Sequence, residues 1–341
     1  MLNTVYRLVS PKQFEATLIE EEVDENTVII RPTHLSICHA DQRYYTGSRD
    51  AAVLRKKLPM ALIHEGVGEV VKDFSGRFNI GERVIVVPNT PFESDEIIQE
   101  NYLPSSKFRS SGFDGLMQEY VFTTPDRLVK VLKDIPMNVA AYTEMISVAM
   151  HSISRLSRLM NDDKVTFGVW GDGNLGYITA NLLKELYPEA NLYIFGKNID
   201  KLGFFSFADE TFIVDSIPPS VKISHAFECV GGVGSQYALK QIVEMIRPQG
   251  SIAIMGVSEH PIEINTRLVL EKGLSISGTS RSGVEDFEQT IAFLASHPIA
   301  KKRFANLVGI EKKIDSIQDI HEFFDEDMAN SWGKAVMTWN L

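Results

Sequence analysis

Residues 165–188, VTFGVWGDGNLGYITANLLKELYP, decide the fold of this chain. The run TFGVW is apolar and short, as a buried strand is, and YITANLLKEL contains no Gly or Pro to interrupt a helix. A glycine-rich turn joins the two. A strand, a glycine turn and a helix in this order predict the first βαβ unit of a parallel sheet.

The turn itself reads GDGNLG, with the GxGxxG spacing of a dinucleotide-binding loop. Such a turn lets the backbone approach a pyrophosphate, which then lies at the N-terminus of the following helix. We therefore assign Gly171, Gly173, Asn174, Leu175 and Gly176 to a cofactor site. An ordinary strand-to-helix turn is the alternative.

The end of the next apolar run indicates which dinucleotide is bound. NAD sites usually carry an Asp or Glu there to hold the ribose hydroxyls. This chain has Phe195-Gly196-Lys197-Asn198, without an acid at that place. A cation suits a 2′-phosphate, so the sequence favours NADP(H) over NAD(H), with Lys197 as its contact. A solvated surface lysine is the alternative for Lys197.

The regions on either side of this segment differ in their predicted secondary structure. Residues 138–156, NVAAYTEMISVAMHSISRL, follow a helical pattern, and the runs NLYIFGK, HAFECVGG and GSIAIMGV continue the alternation of helices and strands. Before residue 140 the chain is β-rich, with short β-branched segments at 27–31, 68–74 and 83–87. At 341 residues, the chain has the length of two domains.

Composition excludes several classes of protein. The formal net charge is -11, from 34 basic and 45 acidic residues, which disfavours nucleic-acid binding. Two cysteines do not make a disulfide framework and suit a reducing compartment. The N-terminus lacks the pattern of a signal peptide, and no apolar run is long enough to span a membrane. We expect a soluble, cytoplasmic protein.

Three scattered places carry residues that could bind a metal. Cys38, the pair His64-Glu65, and Glu144 offer a thiolate, an imidazole and two carboxylates, which suit zinc. Spacing alone leaves the alternative open that Cys38 is a small buried apolar residue and His64 a core histidine.

The order of these residues among other motifs favours metal binding over a purely structural role. The motifs are Cys38-x-x-Asp41, His64-Glu65-Gly66-x-Gly68, Gly81-Glu82-Arg83-Val84, Asp114–Tyr120 and the glycine turn. Together they resemble the zinc-dependent medium-chain dehydrogenases. The resemblance implies an α/β protein with two domains. One is a GroES-like β-rich catalytic domain of residues 1–143 and 298–341, and the other is a Rossmann doubly wound parallel-sheet domain of residues 144–297.

The resemblance also implies a ligand set. Cys38, His64 and Glu144 match metal-ligand positions, and Glu65 matches a residue that binds zinc in some members. Neighbours on a regular strand point to opposite faces, so His64 and Glu65 both bind a metal only if the backbone is irregular there. Residues 89–120 contain no cysteine to form a structural zinc site, so we expect one catalytic zinc per chain.

One departure from the family pattern concerns proton transfer. The hydroxyl residue two places after the ligand cysteine is Ala40 here. The proton must then pass by another route, for which metal-bound water, Glu65, Tyr44 and a substrate hydroxyl all remain open.

Longer stretches resemble one group within the family. Residues 41–50, 58–66 and 265–273, reading DQRYYTGSRD, LPMALIHEG and NTRLVLEKG, are similar to the ribulose-5-phosphate reductases of teichoic-acid biosynthesis. The resemblance implies reduction of D-ribulose 5-phosphate to D-ribitol 5-phosphate with NADPH. A cytidylyltransferase would take the product to CDP-ribitol for cell-wall polymer and is an expected partner. The family also implies a homodimer, which we expect to form through residues 274–280.

A sugar phosphate needs cations in this acidic chain. Arg43, Arg49, Lys56 and Lys57 precede the His64 motif, and Arg109 lies in the polar segment after it. Because an arginine fork matches phosphate oxygens, we favour Arg43 and Arg109 over the lysine pair. Solvated surface charges are the alternative.

Two rival functions remain. The nearest is a zinc polyol dehydrogenase that acts on an unphosphorylated sugar alcohol with NAD. The other is a nucleotide-binding protein that has lost its chemistry, for which Ala40 is the one hint. A metal-free member of the quinone-reductase type is disfavoured because Cys38, His64, Glu65 and Glu144 are all present.

Overall fold

The computed structural model describes residues 1–160 and 165–341. Within them the chain forms two compact units, residues 1–147 with 281–341, and residues 148–280. The sequence-based division placed 144–147 and 281–297 with the second domain, whereas the compact units place both stretches with the first. In the described part of the chain, no helix combines the length and apolar character needed to cross a membrane.

The first unit opens with most of its strands. In chain order its elements are β1 (Leu2–Ser10), β2 (Gln13–Glu20), β3 (Val28–Ile37), α1 (His39–Tyr45), α2 (Ala51–Lys57), β4 (Met60–Ala61), β5 (Glu65–Asp73), β6 (Arg83–Val86), β7 (Asn89–Thr90), β8 (Lys107–Phe108), β9 (Val121–Thr123), β10 (Leu128–Lys130) and α3 (Met137–Ala141). Short 3-10 turns occupy Glu100–Tyr102 and Pro125–Arg127.

The chain then enters the second unit through α4 (Thr143–Ser157). The elements that follow are β11 (Thr166–Trp170), α5 (Asn174–Leu186), β12 (Asn191–Gly196), α6 (Ile199–Leu202), β13 (Glu210–Ile213), β14 (Ile223–Glu228), α7 (Gly234–Met245), β15 (Ile246–Ile254), α8 (Thr266–Lys272) and β16 (Ser275–Gly278). The first unit resumes with α9 (Val284–Ser296), α10 (Pro298–Ala305), β17 (Val308–Ile314), α11 (Ile317–Ala329) and β18 (Lys334–Trp339).

The main sheet of the first unit receives the end of the chain. Its strand order is β10-β6-β5-β3-β18-β17, with β9 also paired to β3. Strand β18 runs antiparallel to β3 and pairs Ala335 with Ile37. This register brings Lys334, at the start of β18, beside the end of β3, where Cys38 follows.

The second unit has the predicted parallel sheet. Its order is β13-β12-β11-β14-β15-β16, and every adjacent pair is parallel. The central strands are buried on both sides, as the apolar runs indicate. Rings of Trp170 and Phe195 stack at 3.8 Å between β11 and β12. The prediction of a β-rich domain with a Rossmann parallel-sheet domain is confirmed.

The helix predicted over residues 138–156 is interrupted. Helix α3 ends at Ala141 and α4 begins at Thr143, with Tyr142 at φ -108° and ψ 26° between them. The Tyr142 hydroxyl donates a hydrogen bond to the carbonyl of Phe304 at 2.6 Å, a tertiary contact that no local pattern reveals. The break places Glu144 in the first turn of α4.

Candidate metal centre and dinucleotide site

Cys38 is held at the N-terminus of α1 by a buried carboxylate. Cys38 has extended backbone angles, and its N–H donates to Asp41 Oδ2 at 3.1 Å. The other oxygen of Asp41 accepts from the N–H of Ile63 at 3.1 Å. One side chain therefore joins the Cys38 turn to the segment that carries His64, and Asp41 is fully buried in doing so.

The backbone before His64 is irregular, as binding by both neighbours requires. Ile63 has φ +69°, a conformation that costs a β-branched residue about 1–3 kcal/mol. Its N–H donates to Asp41, and its carbonyl accepts from Leu116 N at 2.7 Å. Strand β5 starts only at Glu65, so His64 is not part of the regular alternation.

A serine orients the His64 ring. Ser110 Oγ lies 2.8 Å from Nδ1 of His64, which leaves Nε2 to face the acidic groups. Nε2 is 4.0 Å from Oε2 of Glu144. A partner at one ring nitrogen fixes the orientation in which the other nitrogen is presented to a metal. The ring of Phe108 packs edge-on against the imidazole at 5.0 Å between centroids.

Glu65 is paired with a buried lysine. Lys334 Nζ donates to Glu65 Oε1 at 3.0 Å and lies 2.8 Å from Oε2. It also donates to the Ile37 carbonyl at 2.8 Å. Burial by itself lowers the pKa of Lys334, but the charges of Glu65 and Cys38 raise it above its ordinary value. Lys334 is therefore a permanent cation beside the site.

Glu144 is fixed through its helix. The hydroxyl of Ser147 donates to the Glu144 carbonyl at 2.7 Å and lies 2.7 Å from the Ser282 hydroxyl. Burial raises the pKa of the Glu144 carboxyl to about 7, while His64 lowers it and Glu65 raises it.

The structure brings the candidate ligands together. One ligand atom from each of Cys38, His64 and Glu65 lies within 4.8 Å of the other two, and Glu144 adjoins this set through His64. Burial raises the pKa of Cys38 and of Glu65, and the nearby Asp41 carboxylate adds to both shifts. Crowded, desolvated acidic groups around an imidazole form a donor set that fits a zinc ion, whose charge relieves the repulsion.

The glycine turn of the second unit has the geometry that the sequence predicts. Gly171 has φ +128°, and Gly173 is the extended residue that precedes α5. A Cβ atom on Gly176 would collide with the Gly171 carbonyl oxygen, so only glycine allows the helix to start this close to the strand. Asn174 and Leu175 form the first turn of α5, whose N-terminus is suited to an anion.

Lys197 follows β12 directly and its side chain is exposed. The backbone N–H groups of Lys197 and Asn198 both donate to Asp172 Oδ2 at 2.7 Å. Asp172, the acidic residue of the glycine turn, thus holds the end of β12 close to that turn. Lys197 lies beside the dinucleotide loop, within one unit.

The two arginines favoured for a phosphate lie in different surroundings. Arg43 is in the last turn of α1 and is half-buried. Arg109 is 5% exposed, and its guanidinium donates to the carbonyls of Phe122 at 3.0 Å and Asp114 at 3.4 Å. It also lies over the Phe113 ring at 4.9 Å. These contacts occupy Arg109 within the protein.

Sequence reasoning did not single out three residues that support the site. Asp41 appeared only as part of a motif, and Ser110 and Lys334 not as site residues. Lys334 and Glu65 are 269 positions apart, so no local pattern could relate them. For Lys334, the available signal in the sequence was its position at the start of a buried-strand pattern.

Two family models match the chain. The alcohol dehydrogenase GroES-like domain matches residues 24–134, and the zinc-binding dehydrogenase domain matches residues 215–296. With the fold and the donor set described above, the chain belongs to the zinc-binding medium-chain dehydrogenases, and this predicted family is confirmed.

Relatives within the family are similar over their full length. Ribulose-5-phosphate reductase 2 of Staphylococcus aureus is 56% identical and covers 100% of both chains. Ribulose-5-phosphate reductase of Bacillus spizizenii is 52% identical, again over 100% of both. The crystal structure of S. aureus TarJ in complex with NADPH has a TM-score of 0.89, with 48% identity over 100% of both chains.

Proposed function

We propose that this chain reduces D-ribulose 5-phosphate to D-ribitol 5-phosphate with NADPH. The observation that carries the proposal is identity of 56% and 52% to ribulose-5-phosphate reductases over the whole of both chains. The clustered Cys38, His64 and Glu65 support it, because a chain that had lost its chemistry would not need to keep three buried polar ligands together.

The reaction balances with one cofactor and one proton. NADPH gives a hydride to C2 of the ketose, the carbonyl π bond breaks toward oxygen, and the oxygen takes a proton. The products are NADP⁺ and the secondary alcohol. Holding the ketone and the nicotinamide close together and correctly oriented accounts for a large part of such catalysis.

Cys38, His64 and Glu144 are the proposed zinc ligands, with Glu65 either a fourth ligand or a supporting group. A zinc ion held by these residues would supply Lewis-acid chemistry to a ketone. Ser110 presents Nε2 of His64, and Asp41 holds the Cys38 turn at a set distance from it. Lys334 keeps the Glu65 carboxylate in place.

The proton route must do without a hydroxyl at Ala40. Glu65 is buried among the ligands, and burial raises its pKa above the ordinary value, so it is the first candidate. Tyr44 is buried in α1 beneath the guanidinium of Arg49 and is the second candidate. A hydroxyl of the substrate is the third.

The cofactor is proposed to lie along the glycine turn of the second unit. Gly173 faces open space where the pyrophosphate would lie, while Gly171 and Gly176 allow the tight turn and the close start of the helix. Asn174 and Leu175 provide backbone N–H groups at the start of α5. Lys197 is the proposed contact for the 2′-phosphate, which distinguishes NADPH from NADH. The TarJ structure in complex with NADPH supports this choice of cofactor.

The product and the assembly complete the proposal. D-ribitol 5-phosphate would go to a cytidylyltransferase that makes CDP-ribitol for teichoic acid, and that enzyme is the proposed partner. We place the reaction in the cytoplasm, which suits the free thiols of Cys38 and Cys229. Strand β16 is at the edge of its sheet, with Ile276 36% exposed, and is the proposed homodimer contact.

The test is NADPH oxidation with D-ribulose 5-phosphate, followed by absorbance with and without a zinc chelator. We expect rapid oxidation that the chelator abolishes and added zinc restores. Equal activity on free D-ribulose would instead favour an enzyme for unphosphorylated polyols. Metal-loaded protein without turnover on either sugar would overturn the proposal.

A further inference from the structure

Two cations of the first unit contact the segment that packs against His64. Arg281 stacks over the ring of Phe108 with its Cζ 4.7 Å from the centroid, and the same ring packs against His64. Lys57 donates to the carbonyl of Ser111, whose neighbour Ser110 bonds to His64. The segment 108–111 therefore supports His64 and two cations at once.

The other two cations belong to the same patch. Burial lowers the pKa of Lys57, and the charges of Lys56, Arg281 and Arg49 lower it further. Arg49 is held over the Tyr44 ring at 4.2 Å. We call Arg49, Lys56, Lys57 and Arg281 the cation cluster.

In the described part of the chain, the cation cluster lacks a close ion-pair partner, although the charge of Glu144 acts to raise the pKa of Arg281. Across residues 1–160 and 165–341, its members make no ion pair with a carboxylate within 4.0 Å. The chain as a whole carries an excess of acid, with a net charge of -11. Like charges held together without a partner are unfavourable, so the arrangement is suited to an anion that binds from outside.

We propose that the cation cluster is the subsite for the phosphate group of the substrate, with Arg281 as its principal contact. The inference rests on the proposed function and identifies the residues that would select a phosphorylated ketose. A guanidinium fork matches two phosphate oxygens, and Lys57 adds a point charge. The expectation for Arg109 is replaced, since its guanidinium donates to backbone carbonyls.

The backbone around Arg281 is organised for this role. Arg281 has φ +59° and follows β16, and the next residue, Ser282, bonds to Ser147 of the Glu144 helix turn. The proposed phosphate contact and a proposed zinc ligand are thus joined by two short side-chain bonds. This linkage couples the segment of Arg281 to the helix turn that carries Glu144.

The experiment compares Arg281→Met and Arg281→Lys with the control Arg55→Met. Methionine is unbranched like arginine, so it adds no new strain at a positive φ. Arg55 is exposed on α2, the helix of Lys57, and lies outside the cation cluster. Zinc content is measured for each variant, so that loss of metal is distinguished from loss of the subsite.

We expect Arg281→Met to lower kcat/KM for D-ribulose 5-phosphate by about 10- to 100-fold. In Arg281→Met, the ratio of the kcat/KM value for the phosphorylated sugar to that for the free sugar should fall toward one. Arg281→Lys should give an intermediate ratio, and Arg55→Met should give the wild-type ratio. Equal losses on both sugars, or no loss, would overturn the subsite. A rise in KM confined to NADPH would assign the cluster to the cofactor and also overturn it.

A binding experiment separates this inference from the proposed function. Calorimetric titration of metal-loaded protein with D-ribitol 5-phosphate and with ribitol needs no turnover. If the wild type prefers the phosphate ester and Arg281→Met loses that preference, the subsite stands even where the reductase activity fails. If Arg281→Met keeps the preference, or the wild type shows none, the subsite is wrong even where the reductase activity is found.

Discussion

The ammonium group of Lys334 lies 3.0 Å from Oε1 and 2.8 Å from Oε2 of Glu65, with each side chain 1% exposed. Ionised Cys38, Glu65 and Glu144 would carry three negative charges, and a zinc ion supplies two positive ones. The buried site would keep one uncompensated negative charge without Lys334. The C-terminal strand therefore completes the charge balance of a centre whose other residues come from the first half of the chain.

Replacing Lys334 with methionine should destabilise the metal-free protein. Removing one member of a buried ion pair leaves the other charge without a partner and costs about 3–5 kcal/mol. We expect Lys334→Met to lower the free energy of unfolding by that amount in the presence of a chelator, and by less when zinc is bound. Urea denaturation of both forms measures this, with Lys334→Arg as the charge-conserving control. A metal-free Lys334→Met protein as stable as the wild type would contradict the counter-ion role.

Removal of Glu144 should abolish zinc binding and activity together. Residues that merely support a ligand typically change metal affinity by about 10- to 100-fold, and a ligand should exceed this. Glu144→Ala tests the ligand and Ser110→Ala tests the support, since Ser110 contacts only the far nitrogen of His64. Zinc titration against a competing chelator gives both affinities. Glu144→Ala with full zinc affinity would exclude Glu144 from the ligand set.

The sequence predicted elements whose evidence is local. The glycine turn and its flanking strand and helix occupy the expected residues, and the segment predicted at 83–87 is β6 at Arg83–Val86. The candidate ligands Cys38, His64 and Glu65 converge because an irregular residue, Ile63, precedes His64. Periodicity predicts regular strands and does not reveal a single left-handed residue.

The structural features that the sequence did not predict depend on contacts between residues that are far apart in the chain. Tyr142 lies at the break between α3 and α4, where its hydroxyl donates to the Phe304 carbonyl. Arg281 lies over the ring of Phe108, which packs against His64. The sequence favours Arg109, in a polar segment, as a phosphate contact, but its guanidinium donates to the backbone carbonyls of Phe122 and Asp114. A sequence shows which chemical group each side chain carries. Tertiary packing decides which partner that group contacts.

Lys197 should control the choice between the two nicotinamide cofactors. It follows β12 beside the dinucleotide loop, and only NADPH carries a 2′-phosphate for it to contact. We expect Lys197→Ala to raise KM for NADPH by about tenfold and to leave KM for NADH within about twofold. Lys184→Ala is the control, because Lys184 is paired with Asp209 at 3.0 Å on the same unit. Equal changes with both cofactors would remove Lys197 from the site.

Glu144 should also give the metal-free protein a characteristic pH dependence. Burial raises its pKa from 4.5 in the unfolded chain to about 7 in the fold, with His64 acting to lower it and Glu65 to raise it. The folded state therefore binds the proton more tightly. The stability linked to that proton is complete below about pH 4.5 and is lost as the pH rises through about 7.

Glutamine at position 144 cannot ionise and should keep the stability that the carboxylate loses. With a chelator present, we expect the free energy of unfolding of Glu144→Gln to exceed that of the wild type by a margin that grows from about pH 5.5 to about pH 8. Denaturation in urea at both pH values measures the margin. Glu82→Gln is the control, since hydrogen bonds from Asn79 lower the pKa of Glu82 and its effect should be the same at both. A margin for Glu144→Gln that stays constant would show that the carboxyl is already ionised at the lower pH.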